Sequence, residues 1–337
     1  MEIQKPYLLF LGDVHDQLAA KTAQGIVDWR PDWCVGQLRL EGCNADCCIE
    51  DTSISEGAAR GAKTMVVGVV NSGGMLPEHW IASIVEALDV GMDVATGLHV
   101  RLSSIPEIAD AAKRNGKSLH DVRYTDQKFA TGKGTKRPGL RLLAVGTDCS
   151  VGKKYTALAL DKEMRAQGLN SEFCATGQTG VFISGRGLSL DAVIADFISG
   201  AAEWITPDNE ENAWQVVEGQ GSLFHPAFAG VTLGLLHGSQ PDAFVVCHEP
   251  TRTNMRGVSH PLPSIGDVIE RVMLEGSLTN PDIRCVGICV NTFALPEDEA
   301  LNYLQDVSAE YDLPAVDPIR TGTKPVVDKL INIYHNN

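Results

Sequence analysis

Residues Gly146 to Lys153 have the types and the spacing that a phosphate-binding loop requires. An apolar run typical of a buried strand precedes Gly146, and a stretch typical of a helix follows the Gly152-Lys153 pair. In such a loop the main-chain amides and the first helical turn converge on an anion, and the lysine ammonium adds a full positive charge. The sequence therefore predicts a site for a phosphate-bearing ligand. The residues expected to contact this ligand are Gly146, Thr147, Asp148, Cys149, Ser150, Val151, Gly152, Lys153, Lys154 and Tyr155.

Lys154 distinguishes this loop from the loops of nucleotide hydrolases. Those enzymes have a Ser or Thr after the lysine, and its hydroxyl binds Mg²⁺, whereas this chain has a second lysine. The nearest hydroxyl, that of Thr156, lies two positions further along and on a different face of the helix. We therefore expect phosphate binding without metal-dependent hydrolysis, and no bound metal.

Polar residues follow the apolar runs of the second half, where the carboxyl ends of parallel strands would meet. Glu218 comes after one such run and is the best acid/base candidate, because burial raises the pKa of a carboxyl and lets it accept a proton. Two other roles stay open for Glu218, the orientation of Mg²⁺ and the capping of nearby amides. Asn291 follows another run, where it serves either a ligand or only the local turn.

Arg252 and Arg256 are four residues apart, close enough to share one face of a helix or loop. Guanidinium groups bind carboxylates through two parallel hydrogen bonds, so this pair suits a ligand with two carboxylates. Surface ion pairs in a chain with excess acid are an equally good interpretation.

Apolar runs and amphipathic stretches alternate along the whole chain, which indicates an α/β fold with parallel sheets. We divide it into an N-terminal domain over residues 1–126, a polar linker over residues 127–139 and a P-loop NTPase-like α/β domain over residues 140–337. The positive side chains of the linker are expected either to be solvated or to line the anion site; they are Lys128, Lys133, Lys136 and Arg137. The predicted elements include a strand over residues 64–70 that ends in a polar segment at residues 71–74, and helices over residues 17–29 and 191–202.

Charge and composition exclude several classes of partner. The 337 residues include 43 acidic and 28 basic side chains, a net charge of −15 that argues against nucleic acid. Because the sequence shows no run of about 18 apolar residues and no leader-like start, we expect no membrane partner and a cytoplasmic location. The nine cysteines are then expected to be reduced thiols.

Several motifs taken together resemble one family. They lie at residues 97–102, 119–123, 145–153, 177–180 and 218–222, with His225-Pro226 after the last of them. Nearly end to end, the chain resembles the D-glutamate N-acetyltransferase family, formerly a family of unknown function with a dethiobiotin-synthetase-like P-loop. The resemblance implies a Rossmann-like N-terminal domain before the P-loop domain. It also implies transfer of the acetyl group of acetyl-CoA to the amine of D-glutamate, giving N-acetyl-D-glutamate and CoA.

The resemblance assigns chemistry to the candidate residues. The phosphates of acetyl-CoA, the co-substrate, would occupy the loop, with Asn291 near the adenine ring, and direct transfer needs a base, oxyanion donors and cations for two carboxylates. The expected catalytic residues are Glu218, His225 and Asp148, with Glu218 or His225 as the base. The expected substrate-binding residues are Arg252, Arg256, Gln178 and Thr179.

A covalent route is the second mechanistic candidate. Cys149 lies in an amide-rich loop before a helix, a position that lowers the pKa of a thiol and activates it as a nucleophile. Direct transfer ranks above it, and a structural role for Cys149 stays open as well.

Two other functions stay open. One is an ATP- and Mg²⁺-dependent ligase or kinase of the dethiobiotin synthetase type acting on a carboxylate, against which Lys154 counts. The other is a nucleotide-binding regulator or metal chaperone that assembles with a partner. For an α/β enzyme a homodimer is expected, because two-fold assembly is the commonest symmetry.

Overall fold

The computed structural model describes residues 3–69, 75–125 and 127–335, so the strand end predicted at residues 70–74 lies outside the described part of the chain. The chain forms two compact units, one of residues 1–127 and 178–192 and the other of residues 128–177 and 193–337. Each unit has its own sheet, and the strand pairs of both sheets are parallel. The predicted α/β class is confirmed.

The first unit is built on five strands and the helices between them. The strands are β1 (Tyr7–Gly12), β2 (Cys34–Arg39), β3 (Thr64–Val67), β4 (Asp93–Thr96) and β5 (Leu119–Asp121). The helices are α1 (Lys21–Trp29), α2 (Ile54–Ala59), α3 (Ile81–Asp89) and α4 (Pro106–Asn115). In the sheet order β2-β1-β3-β4-β5, β1 is buried at all six positions, as expected of a parallel strand covered on both faces.

The second unit has a larger sheet. Its strands are β6 (Leu140–Gly146), β7 (Ser171–Cys174), β8 (Trp214–Val217), β9 (Ala243–His248), β10 (Arg284–Val290) and β11 (Ala315–Val316). Its helices are α5 (Lys153–Ala166), α7 (Ile198–Ile205), α8 (Ala229–Ser239), α9 (Ile265–Gly276), α10 (Glu297–Tyr311) and α11 (Lys324–Tyr334). In the order β11-β10-β9-β6-β8-β7, strand β6 lies between β9 and β8, so the segments after these three strands meet at one edge.

Helix α6 (Gln178–Ser184) belongs to the first unit, although its residues fall within the P-loop domain predicted over residues 140–337. Phe182 and Ile183 have no exposed surface, and the Tyr7 hydroxyl of β1 donates to the Phe182 carbonyl oxygen at 3.3 Å. The chain therefore leaves the second unit, contributes a helix to the first and returns. The domain boundaries near residues 126 and 139 stay a prediction.

Two predicted helices differ from those observed. The helix expected from Gln17 begins at Lys21, and residues 191–202 do not form one helix. Short 3-10 turns cover Leu190–Ala192 and Ala195–Phe197 before α7 begins. Ile194 between them is extended, with φ −58° and ψ 136°, and β-branched residues favour such backbone over the helical turn.

The basic residues of the expected linker pack into the second unit. Lys136 Nζ lies 2.8 Å from Asp242 Oδ1, and the Arg137 guanidinium donates to the Thr206 and Gly238 carbonyl oxygens. The Arg137 side chain is only 14% exposed. Solvated charge is therefore the wrong expectation for Arg137 but not for Lys136, which is exposed. A lining of the anion site is wrong for both, because Asp242 directly precedes β9 and so lies at the edge of the sheet opposite the one where the strands end.

One observation concerns membranes. Within the described ranges, no helix combines the length and the apolar character needed to cross a bilayer.

Candidate functional site

The predicted phosphate loop joins β6 to α5. It begins at Gly146, the last residue of the strand, and ends at Lys153, the first residue of the helix. Gly152 adopts φ +103°, a left-handed conformation that favours glycine, and a Cβ on Gly146 would lie 2.7 Å from Val151 Cγ2. The loop therefore needs glycine at both of the positions on which the sequence prediction rested.

Lys153 reaches across the loop from its helical end. Its side chain is buried, and Nζ donates to the Asp148 carbonyl oxygen at 2.7 Å. Burial lowers the pKa of this ammonium. A lysine held inside a loop of main-chain amides is positioned to exchange its carbonyl partner for an anionic oxygen, which is a stronger acceptor.

Arg252 holds the loop from outside the strand-loop-helix element. Its Nη1 donates to Asp148 Oδ2 at 2.9 Å and to the Cys149 carbonyl oxygen at 2.7 Å, and Nη2 donates to the Ser150 carbonyl oxygen at 2.9 Å. Its Nε lies 3.2 Å from Glu249. Because these contacts occupy most of the guanidinium, Arg252 acts here as a brace of the loop. Its expected contact with a carboxylate of D-glutamate stays a prediction.

Asp148 joins both arginines. Its side chain has no exposed surface, and Oδ2 also accepts from the Arg256 main-chain amide at 2.7 Å. Its Oδ1 has no hydrogen-bond partner among the residues described. The Arg256 side chain is exposed, and its Nη1 donates to Ser150 Oγ of the loop.

His225 lies beside the loop with both ring nitrogens occupied. Nδ1 accepts from the Ala227 amide at 3.2 Å, so the ring proton is on Nε2, which donates to the Arg256 carbonyl oxygen at 3.0 Å. This arrangement leaves the imidazole no lone pair for a substrate proton. Of the two expected bases, it favours Glu218.

Asp148, Cys149 and His225 form the one group of potential metal ligands found among the described residues, with donor atoms within 4.8 Å of one another. Burial raises the pKa of the Cys149 thiol, contrary to the lowered value expected from its place before a helix. Desolvation outweighs the nearby cations because it penalises the thiolate directly. A neutral thiol, an engaged imidazole and the cations Lys153 and Arg252 make this a poor metal site.

Glu218 lies at the base of the loop, after β8. It is 4% exposed, and Oε2 accepts from the Thr176 and Gly177 amides, both at 3.1 Å. Burial raises the pKa of this carboxyl to about 7, against the positive charges of Lys154 and Lys153. A carboxyl with such a pKa exchanges protons near neutral pH, which is what a general base requires.

The remaining candidates divide between the two units. Asn291 lies beside the loop, because a Cβ added to Gly152 would be 3.8 Å from the Asn291 Cβ. The Asn291 Oδ1 accepts a hydrogen bond from the Phe293 amide, as in a turn. Lys154 Nζ lies 5.2 Å from the centroid of the Tyr155 ring.

Gln178 and Thr179 belong to the first unit. The Gln178 side chain lies on Gly97, where a Cβ would be 1.8 Å from Gln178 Oε1, and Thr179 Oγ1 is 3.2 Å from Thr22 Oγ1.

Sequence reasoning missed two polar partners of the loop and of Glu218. His248 at the end of β9 has Nδ1 3.1 Å from Thr147 Oγ1, and burial lowers its pKa. Thr176 donates its hydroxyl to the Glu218 carbonyl oxygen. Both are polar residues at strand ends. The same signal identified Glu218, so it could have identified His248 and Thr176 as well.

The parallel sheet of the second unit and its glycine-bounded loop between β6 and α5 define a P-loop α/β protein. Two family descriptions match the chain: "domain of unknown function (DUF1611_C) P-loop domain" over residues 128–327 and "domain of unknown function (DUF1611_N) Rossmann-like domain" over residues 38–125. The chain belongs to the DUF1611 family, the family of the D-glutamate N-acetyltransferases that it resembles. The predicted Rossmann-like and P-loop domains are thereby confirmed.

Known relatives cover nearly the whole chain. A protein of Tritonibacter scottomollicae named D-glutamate N-acetyltransferase is 51% identical over 97% of this chain and 99% of its own length. A protein of a Pseudoalteromonas species with the same name is 50% identical over 98% of this chain and 100% of its own length. A crystal structure of a DUF1611 family protein from Anabaena variabilis, 28% identical, matches with a TM-score of 0.86 over 98% of this chain and 100% of its own.

Proposed function

We propose that this protein is a D-glutamate N-acetyltransferase, which moves the acetyl group of acetyl-CoA to the amine of D-glutamate and releases N-acetyl-D-glutamate and CoA. The observation that carries this proposal is identity of about half of the residues with two enzymes of that name, over at least 97% of the chain. Identity of this extent over both units supports a shared reaction and not only a shared fold.

The phosphate loop is the proposed site for the pyrophosphate of acetyl-CoA. Its main-chain amides and Lys153 supply donors and charge, and Arg252 holds the loop in shape before the ligand arrives. Lys154 stands where a hydrolase has its magnesium-binding hydroxyl. A loop of this kind binds phosphate without assisting its cleavage. This suits acetyl-CoA, whose phosphates stay intact during acetyl transfer.

Glu218 is the proposed general base. The ammonium group of D-glutamate must lose a proton before its nitrogen can attack the thioester, and a carboxylate with a pKa of about 7 accepts it near neutral pH. A bond forms between the amine nitrogen and the acetyl carbon, and the carbon–sulfur bond breaks. Of the two protons that leave the nitrogen, one passes to the leaving thiolate of CoA and the other is released to solvent. Because Glu218 is close to the loop, the flexible pantetheine arm would fold back toward it.

Gln178 and Thr179 stay proposed contacts of the acceptor, as the resemblance implies. The protein is further proposed to be cytoplasmic, without a nucleic-acid or membrane partner, on the basis of its charge and composition. It is proposed to be a homodimer because two-fold assembly is the commonest symmetry.

Release of free thiol from acetyl-CoA tests the reaction. The assay compares D-glutamate, L-glutamate and no acceptor, without ATP and with a chelator present. We expect release only with D-glutamate. Activity that appears only with ATP and Mg²⁺ would contradict the proposal and favour the ligase, and nucleotide-dependent assembly without turnover would favour the regulator.

A further inference from the structure

Arg256 is an exposed arginine whose main chain is held on both sides by buried polar side chains. Its amide donates to Asp148 Oδ2 at 2.7 Å, and its carbonyl oxygen accepts from His225 Nε2 at 3.0 Å. Asp148 has no exposed surface and His225 is 1% exposed. Burying two such groups is costly unless their hydrogen bonds are made, and here they fix a single surface residue in place.

The Arg256 guanidinium lies at the rim of the phosphate loop. Its Nη1 donates to the hydroxyl of Ser150, a residue of the loop itself. Arg252 and Arg256 differ in how many of their guanidinium N–H groups are already bonded to the protein. Arg252 has Asp148, two loop carbonyl oxygens and Glu249 as partners. Over the described residues, the structure gives the Arg256 guanidinium this one hydrogen bond and no ion pair, so its outer N–H groups are available to a ligand.

We propose that Arg256 binds the 3′-phosphate of acetyl-CoA while the loop and Lys153 hold the pyrophosphate. The assignment rests on the proposed function, because CoA carries phosphate at two separate places. A phosphate monoester has nearly two negative charges and three terminal oxygens, which match the fork of a guanidinium. Asp148, His225 and Arg252 are then positioning residues, which act through Arg256 and the loop.

The hydrogen bonds that fix the main chain of Arg256 should increase its affinity for an anion. A flexible surface arginine loses side-chain and main-chain freedom when it binds an anion, and this loss reduces the affinity. At Arg256 the main chain is already fixed by Asp148 and His225, and one edge of the guanidinium by Ser150. Most of the ordering is therefore complete before the ligand binds.

Calorimetric binding of CoA and of dephospho-CoA, which lacks the 3′-phosphate, tests the assignment. We expect the wild type to bind CoA roughly tenfold more tightly than dephospho-CoA, the usual range for one charged contact. Arg256→Met should bind both ligands equally, with the affinity of the wild type for dephospho-CoA. The matched control is Arg271→Met, because Arg271 is an exposed arginine of α9 paired with Glu275 at 3.5 Å, and this variant should keep the full preference.

The ratio of the affinities for CoA and dephospho-CoA tests whether His225 positions Arg256. His225→Ala should lose most of the preference for CoA, whereas His225→Gln, which retains an N–H donor for the Arg256 carbonyl oxygen, should retain more of it. A merely structural role for His225 would weaken both ligands alike and leave the ratio unchanged, which would contradict this part of the proposal.

Two results would overturn the assignment of Arg256. One is an Arg256→Met variant that still prefers CoA as strongly as the wild type does. The other is a variant with unchanged affinity for CoA and a raised KM for D-glutamate, which would make Arg256 a carboxylate ligand. Since binding is measured without turnover, a wild type that prefers CoA through Arg256 but transfers no acetyl group would contradict the proposed function and still support this assignment.

Discussion

At the scale of single residues, surroundings separate side chains that look equivalent in the sequence. Glu218 and His225 were both candidates for the base, and both are buried. Main-chain amides bind one oxygen of Glu218, whereas both nitrogens of His225 are committed to the protein. Chemical type alone makes histidine the commoner base near neutral pH, but the hydrogen-bond partners of these two side chains favour Glu218.

Replacement of Glu218 tests its role in the reaction. Because the base acts as a carboxylate, we expect kcat/KM of the wild type to rise with pH through about 7. Glu218→Gln should lower kcat by roughly 10²- to 10⁴-fold and remove that rise. The control is Glu270→Gln at an exposed position of α9. A variant with full activity and an unchanged pH profile would assign the proton to another group.

The same carboxyl should make the stability depend on pH. Its pKa is raised from 4.5 to about 7 in the folded protein, so the native state binds more protons than the unfolded state between these values. The free energy of unfolding should therefore fall as pH rises through this interval, by about 3 kcal/mol.

Urea denaturation at pH 5 and pH 8 measures this effect. Glu218→Gln, which has no charge to bury, should lose less stability than the wild type between the two values. Equal losses in the two proteins would show that Glu218 titrates normally.

At the scale of elements, the loop depends on close main-chain packing beneath it. Gly219, the residue after Glu218, lies so close to β6 that a Cβ would be 1.7 Å from the Ala144 carbonyl oxygen and 2.9 Å from Lys153 Cδ. The first of these neighbours is main chain, which cannot swing aside as a flexible side chain does. Strand β6, the loop and the segment after β8 are therefore tightly packed against one another.

A pair of glycine substitutions tests this packing. Gly219→Ala should destabilise the protein by roughly 1–3 kcal/mol and weaken CoA binding, because the added methyl group must displace β6 or Lys153. Gly230→Ala in α8 meets no atom within 4 Å and should stabilise the protein by about 0.5–1 kcal/mol. Guanidinium denaturation of both variants measures the difference. Equal stabilities would contradict the packing argument.

At the scale of the whole molecule, the first unit is completed by a distant part of the chain. Residues 178–192 supply α6, whose Val181, Phe182 and Ile183 are at most 1% exposed. Burial of an apolar side chain contributes about 1.5–3 kcal/mol, so three of them amount to a large part of the 5–15 kcal/mol that stabilises a typical domain. The first unit is therefore not encoded by a continuous stretch of sequence.

A fragment of residues 1–127 tests this dependence. Without α6 we expect it to be poorly folded, with weak chemical-shift dispersion and no cooperative thermal transition. The same fragment with residues 178–192 attached through a glycine-serine linker should regain both. A cooperative transition in the shorter fragment would show that α6 is dispensable for the fold.

The sequence by itself determined the α/β class and the phosphate loop, whereas the Rossmann-like kind of the first domain was implied by the family resemblance. The class and the loop depend on local patterns: apolar runs of strand length, glycines at fixed offsets and a lysine before a helix. The phosphate loop shows how far such patterns reach, because the strand before it and the helix after it meet it at Gly146 and Lys153, as predicted. The helix expected over residues 191–202 shows their limit, since a periodic pattern does not outweigh an extended residue within it.

Only the tertiary structure decided which side chains around the loop are held by hydrogen bonds within the protein and which are exposed. Arg252 and Arg256 are four residues apart and chemically identical, yet one braces the loop while the other lies exposed at its rim. Their partner Asp148 is 104 residues from Arg252 along the chain. Burial and hydrogen bonding come from such distant segments, and they set pKa values and availability, so no local pattern contains them.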